Sequence, residues 1–351
     1  MYHRVYESGA NTMKLKYLIT VLRTMKIPGL FPIMRDWQAL VRMHFMYAAL
    51  ESGLLEALST TASRDDLIQK LNVKRPELLE ALLDVGLSVK ELAFENGLYS
   101  IKGKRSKALA GNEGDMLTAM IQANVTYYSS AYRNAADRIH GAPLGDDLEK
   151  IGDVVARFSK IGEPFIRHFT ADIVSGRKSM RILDVGCGSG LFLQSIFNDN
   201  SNATGIGIDI DVAVVEQARQ NIENWGLSDK FMIMEGDICS PPEGIEGSFD
   251  LITLYNVLHY FTSEKRIELL RILHSMLSPD GTLAISTFLR SNGEDLGAAN
   301  LNMVNSSLEG LAPLPDIDEL TTELEGSGFK RIKTQRLIPG STFYGIAAGN
   351  A

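Results

Sequence analysis

The sequence predicts a two-part chain: a mostly helical N-terminal domain, then an α/β domain on a parallel sheet whose last strand runs antiparallel. Three observations carry this. From Gly176 onward, short apolar runs alternate with helical segments, as in strands buried on both faces by crossover helices. The first of these runs, residues 181–185, enters a bend of closely spaced glycines at Gly186-Cys187-Gly188-Ser189-Gly190. Before Gly111 the periodicity is helical and closes on a hairpin signal. A length of 351 residues suits two domains better than one.

Composition narrows the function. Apolar residues make up 45% and charged residues 22% of the chain, as in an ordinary globular protein. The net charge of -8, from 35 basic and 43 acidic side chains, argues against a general nucleic-acid binder. Two cysteines, Cys187 and Cys239, cannot build a disulfide framework and suggest a reducing compartment. No apolar run approaches the roughly 18 residues that span a bilayer, and the start lacks the layout of a secretion signal. The expectation is a soluble, cytoplasmic protein.

Four segments are expected: 1–36, 37–110, 111–175 and 176–351. The first is a basic arm. Residues 1–42 carry seven basic and two acidic side chains, which leaves -13 for the rest. Met13, Tyr17, Leu18, Val21, Leu22 and Met25 recur there at helical spacing. Such a helix packs on a partner subunit or lies on an anionic membrane surface. In 37–110, Leu40, Met43, Tyr47, Leu50 and Leu54 make one helical face, and His44 is expected to pack within it. A short helix follows near 65–71, and Pro76 opens another through Leu87. Asn96-Gly97 then reads as a two-residue hairpin turn within 92–101. Three helices and a hairpin suggest a winged helix. Its third helix carries Glu77, Glu80 and Asp84, unfavourable beside phosphates, so a dimerising role is preferred to DNA reading. Lys102, Lys104, Arg105 and Lys107 are expected in a solvated loop. Residues 111–175 read as helical, link the domains, and supply Tyr127, Tyr128, Phe158 and Phe165 as candidate pocket walls.

In the α/β domain, glycines at 186, 188 and 190 let the backbone turn sharply and approach a ligand closely. The third glycine comes one residue earlier than in the dinucleotide pattern. A second strand ends at Asp209, which can accept both hydroxyls of a ribose. A third ends near Asp237 and Ile238, suited to an adenine amino group and ring. A fourth, 249–254, leads into Tyr255-Asn256-Val257-Leu258-His259. A helix over 264–277, the turn Ser278-Pro279-Asp280-Gly281, a strand over 282–288 and a hairpin around Pro339-Gly340 complete the series.

The motifs Asp184-Val185-Gly186-Cys187-Gly188-Ser189-Gly190, Gly207-Ile208-Asp209, Gly236-Asp237 and Ser278-Pro279-Asp280-Gly281, in order, resemble the class I S-adenosylmethionine-dependent methyltransferases. With the winged-helix unit before it, the chain is similar to the small-molecule O-methyltransferases of secondary metabolism. The resemblance implies a Rossmann-like sheet, a homodimer interlocked through its N-terminal domains, and S-adenosyl-L-methionine as cofactor. It implies that Asp184, Gly186, Gly188, Gly190, Asp209, Ile210, Asp237, Ile238 and Asn256 bind that cofactor, with Asn256 beside the sulfonium.

Methyl transfer from a sulfonium needs an aligned nucleophile and exclusion of water. A hydroxyl acceptor also needs a proton acceptor. His259 stands where the family places its base, and imidazole titrates near neutrality. The chain departs from the family around it: Tyr260 and Thr287 stand where acids are usual, and Asp316 or Asp318 is the remaining candidate to orient the ring. O-methylation of a small, largely apolar, ring-bearing metabolite is therefore the favoured reading. C-, N- or S-methylation without a strong base, or a cofactor-sensing winged-helix regulator, are its alternatives. No cluster with metal-ligand spacing stands out, so no metal is expected.

Overall fold

The computed structural model describes residues 20, 29–111, 114–146, 148–245 and 247–350. Apart from residue 20, the helix expected around 13–25 therefore lies outside the described residues. Two compact units divide the chain, unit 1 running up to Ile121 and unit 2 from Gln122.

Unit 1 holds helices α1 (Leu30–Glu51), α2 (Leu54–Ala57), α3 (Arg64–Lys70) and α4 (Pro76–Ser88), strands β1 (Leu92–Glu95) and β2 (Leu98–Ile101), then α5 (Lys104–Leu109). Ser63 caps α3 in a reciprocal box with Asp66, satisfying two of the free amides of its first turn. Asn96 and Gly97, at φ 52° and 82°, make the tight turn between β1 and β2, with Glu95 opposite Leu98. Two expectations are corrected. Leu40 is exposed while Phe45, Met46 and Ala49 are buried, and His44 faces outward with Nδ1 at 2.9 Å from the Leu40 carbonyl. The basic cluster is helical rather than a loop. The buried Glu91 carboxylate accepts from the Ser106 amide and hydroxyl and pairs with Arg105, which anchors the first turn of α5.

Helix α6 (Gly114–Ala123) straddles the boundary, so residues expected to form one linker are shared between the units. In unit 2 a π turn at Asn124–Tyr128 leads to α7 (Ser129–Arg133), α8 (Ala135–Ile139), α9 (Leu148–Ser159) and α10 (Glu163–Val174). The sheet then alternates with helices: β3 (Met180–Val185), α11 (Leu191–Asp199), β4 (Ala203–Asp209), α12 (Val212–Asn224), β5 (Phe231–Glu235), β6 (Phe249–Tyr255), α13 (Ser263–Met276) and β7 (Leu277–Phe288). Helices α14 (Leu296–Asn305) and α15 (Ile317–Gly326) precede β8 (Lys330–Arg336) and β9 (Phe343–Gly349).

The seven strands stand in the order β5-β4-β3-β6-β7-β9-β8. The first five are parallel, while β9 pairs antiparallel with both β7 and β8. Residues 278–281, expected as a turn, are absorbed into β7 where its pairing with β6 slips between Phe249 and Leu251. Alternate residues of one strand enter opposite cores: Leu183 and Val185 join one apolar cluster, Ile182 the other. Arg266, 2% exposed, binds Glu323 and Glu319 and pins α13 to α15. Strand order reverses at β3, whose neighbours are β4 and β6, and such a reversal opens a crevice at the strands' carboxyl ends.

Candidate active site

The glycine bend lies at that crevice. Gly186, Gly188 and Gly190 have φ of 68°, 54° and 79°, a region costly to residues with a Cβ. A Cβ on Gly186 would sit 2.6 Å from Val257 Cγ2, whereas one on Gly188 would meet nothing within 4 Å. The first glycine is thus required by packing, and the second faces open space. The Gly186 and Cys187 amides donate to the Ile208 carbonyl at 2.8 and 3.1 Å, and Asn221 Nδ2 donates to the Ser189 carbonyl at 3.0 Å.

Asp209 closes β4 beside this bend. Its Oδ2 accepts from the Gly188 amide at 3.0 Å and its Oδ1 from the Asp211 amide at 3.1 Å. Each oxygen keeps a free lone pair for a further donor. Asp184 lies deeper, with Oδ1 accepting from the Thr253 hydroxyl at 2.6 Å and Oδ2 buried without a partner. Burial, together with the Asp209 charge and against the Thr253 hydrogen bond, pushes its carboxyl up to about 7. Cys187 is buried in the core, which pushes its thiol up and keeps it a packing residue.

Ile210 is 72% exposed, next to Asp209. Asp237 is exposed and turns on itself, its Oδ1 accepting from the Cys239 amide at 2.8 Å. Ile238 is buried in the core of the sheet. Asn256 holds a left-handed conformation at φ 57°, with its amide donating to the Ser286 carbonyl at 2.9 Å. Asparagine tolerates that region better than most residues, and such strain clusters at functional sites.

His259 follows on a single 3₁₀ turn, Leu258–Tyr260. Burial pushes its imidazole down to about 4, leaving it neutral at pH 7. Its ring lies 4.4 Å from that of Tyr260, tilted by 38°. The phenol of Tyr260 is raised by burial and by the Asp209 charge. Among the described residues no acid hydrogen-bonds to the imidazole. Asp316 caps α15 and pairs with Arg290 at 2.6 Å, Asp318 is exposed, and the buried Thr287 hydroxyl donates to the Phe288 carbonyl. Among the described residues no group of three or more His, Cys, Asp or Glu side chains could hold a metal ion.

Thr253, Asn221 and Val257 support the site without a signal in the sequence. Thr253 holds Asp184 because it stands opposite it in the β3–β6 register, a pairing visible only in the folded sheet.

The sequence profile of a family described as "Methyltransferase domain" matches residues 177–325, which hold the bend, Asp209 and His259. Those residues form a methyltransferase domain. The methyltransferase is 22% identical over 286 residues to the sterol 24-C-methyltransferase erg6 of Aspergillus fumigatus, covering 74% of this chain and 73% of that one. Its structure is similar to that of the mitomycin 7-O-methyltransferase MmcR, at 15% identity and a TM-score of 0.77, over 95% of this chain and 100% of that one. It is also similar to RosA of Streptomyces davawensis, an N,N-8-amino-8-demethyl-D-riboflavin dimethyltransferase, at 18% identity and a TM-score of 0.68, over 93% and 100% of the chains. The shared fold spans residues of both units, and two other proteins of similar fold, PigF and human N-acetylserotonin methyltransferase, have been solved with S-adenosylhomocysteine and S-adenosylmethionine.

Proposed function

We propose that the enzyme moves the methyl group of S-adenosylmethionine to an oxygen of a small, largely apolar, ring-bearing metabolite, with His259 as proton acceptor. The crevice suits the cofactor on two independent grounds: open space where Gly188 lacks a Cβ, and a buried carboxylate oxygen of Asp184 with no partner. The cofactor would supply a sulfonium methyl, an electrophile that needs no further activation. Gly186, Gly188 and Gly190 would give its methionine part a close backbone, with the Asp184 carboxyl behind them, and Asp209 would accept from its ribose. Ile210, Asp237 and Ile238 would take its adenine, and Asn256 would lie beside its sulfur.

One observation carries the choice of oxygen. His259 is a neutral imidazole three residues beyond Asn256, and no hydrogen bond of the described residues occupies its ring nitrogens. A neutral, unengaged imidazole can take a proton from a bound hydroxyl. Incubating the purified protein with S-adenosylmethionine and a panel of phenols, with mass spectrometry for methylated product, tests the reading; no product from any phenol would overturn it.

A second reading has its own support. An imidazole that no carboxylate orients, and that holds a proton only near pH 4, is a weak base. A carbon methyltransferase is among the sequence relatives, and oxygen and nitrogen methyltransferases are among the proteins of similar fold. Under that reading the acceptor is an amine, thiol or activated carbon, and loss of His259 leaves the rate nearly intact.

We further propose that unit 1 pairs two copies of the chain. Phe31, Ile33, Trp37 and Leu40 are more than half exposed on α1, an apolar surface that water disfavours.

A further inference from the structure

Unit 2 carries a groove of about 830 Å³, a volume in the range of small-ligand sites. It lies between α10 and strands β7, β9 and β8, near Arg177, which precedes β3. The glycine bend follows β3, so the groove is at the opposite edge of the sheet from the crevice. Three cations line it: Arg177, and Arg331 and Lys333 on β8.

The sheet register gathers them. Arg177 donates from Nη1 to the Asp250 carbonyl at 3.2 Å and from Nη2 to the Thr282 hydroxyl at 3.0 Å. Thr282 stands opposite Gly349 on β9, and antiparallel partners of this kind point the same way, about 5 Å apart. A Cβ on Gly349 would fall 2.9 Å from Arg331 Nη2. The two guanidinium groups therefore stand over adjacent positions of one sheet face. Lys333 pairs with Ala347, two residues before Gly349, and so shares that face. The floor beneath them is low, because Ala347 and Gly349 are small.

This gathering is unfavourable by itself. β8 fits an extra residue opposite β9 between Lys330 and Lys333, and Arg331 sits in that bulge at a left-handed φ of 45°. Such a backbone is strained for a residue with a Cβ, and bulges re-aim the side chains they carry. Among the described residues none of the three cations forms an ion pair, although Asp172 and Asp280 also line the groove. Like charges held together without a counter-ion repel. Cations on an edge strand do discourage pairing with other sheets. That role does not account for Arg177, which is outside β8 and fixed by two hydrogen bonds, or for a strained Arg331 turned over β9.

We propose that this groove binds a phosphate dianion, free or as the monoester of a small molecule, at a site apart from the cofactor crevice. Two planar guanidinium forks and an ammonium match the several oxygens and double charge of a phosphate better than they match a single carboxylate. Phe169 and Ile173 give the groove an apolar wall for the body of an ester. The site is independent of the methyl-transfer reading.

Calorimetry with inorganic phosphate on the full chain tests this, at about pH 8, where phosphate is a dianion, and at ionic strength held constant with chloride. One phosphate should bind with a dissociation constant of about 1 mM or tighter. Lys333→Gln and Arg331→Gln should each weaken it about tenfold, whereas Arg271→Gln, which removes an exposed cation of α13 outside the groove, should not. Saturating S-adenosylhomocysteine should leave phosphate binding unchanged. Phenyl phosphate binding tighter than phosphate identifies an ester as the ligand, and equal binding identifies the free ion; both uphold the site. No uptake by the wild type would overturn the proposal, as would competition with S-adenosylhomocysteine, which places the phosphate at the glycine bend. Unchanged affinity in the two groove variants, or an equal loss in Arg271→Gln, would overturn it too. The Lys333 side chain makes no hydrogen bond among the described residues, so its variant keeps the fold and decides should Arg331→Gln fail to fold.

Discussion

The Gly188 amide donates to Asp209 Oδ2 at 3.0 Å, joining the glycine bend to the end of the neighbouring strand. One carboxylate thereby fixes the loop while keeping lone pairs for a ligand. The two elements proposed to bind the cofactor, which come from different strands, are thus held at a set spacing before it arrives, and this would lower the ordering cost of binding.

Asp209→Ala should remove both the loop tether and the ribose acceptor. Hydrogen bonds to a charged group contribute about 1.5–3 kcal/mol each, so S-adenosylhomocysteine affinity should fall on the order of a hundredfold. Unchanged affinity by calorimetry would refute the ribose assignment.

Gly186→Ala is expected to destabilise the domain by roughly 1–3 kcal/mol, from a left-handed φ of 68° and a 2.6 Å approach to Val257 Cγ2. Gly188→Ala should share the backbone strain but lack the clash. A thermal melt in which both variants unfold together would contradict the packing argument.

Asp184 gives a pH signature. Its carboxyl is raised to about 7 from 3.8, so the folded chain holds a proton that the unfolded chain has lost. Stability contributed by this group is present below pH 3.8 and is lost as pH rises through about 7. Asp184→Asn should abolish that slope, stabilising the protein at pH 8 by on the order of 2 kcal/mol. Denaturation curves at pH 6 and pH 8 with identical slopes in both proteins would disprove the burial argument.

His259 has the opposite sign. Its imidazole is lowered to about 4 from 6.5, so the unfolded chain binds the extra proton and stability falls as pH drops from 6.5 to about 4. His259→Gln should flatten that fall. With a phenolic acceptor, His259→Ala should cut turnover by about 10²–10⁴-fold while barely changing cofactor affinity. A rate within a few-fold of wild type would exclude the proton-acceptor role and favour alignment without a base.

Trp37→Glu places a charge on the exposed apolar stretch of α1, where Trp37 is 52% exposed. Sedimentation should show the variant shifted toward monomer. An unchanged profile would show that the pairing surface lies elsewhere.

Some of this molecule was readable from the chain alone because the cause is local. Closely spaced glycines admit a left-handed backbone that few other residues tolerate, so the bend at 186–190 announced itself, as did the turn at Asn96-Gly97. The alternation of buried strands and helices announced the parallel sheet, and the carboxylate of Asp209 falls at a strand end by that same pattern. Tertiary contact decided the rest. Leu40 continues an apolar repeat yet faces outward, because the turns around Phe45 and Met46 meet the remainder of unit 1. The basic stretch near Lys104 became a helix because a buried Glu91, far back in the chain, receives its first turn. Thr253 reaches Asp184 only once distant segments have packed. Side-chain periodicity encodes which residues avoid water; which of them then touch is settled by packing between elements, and a single chain carries no local mark of that.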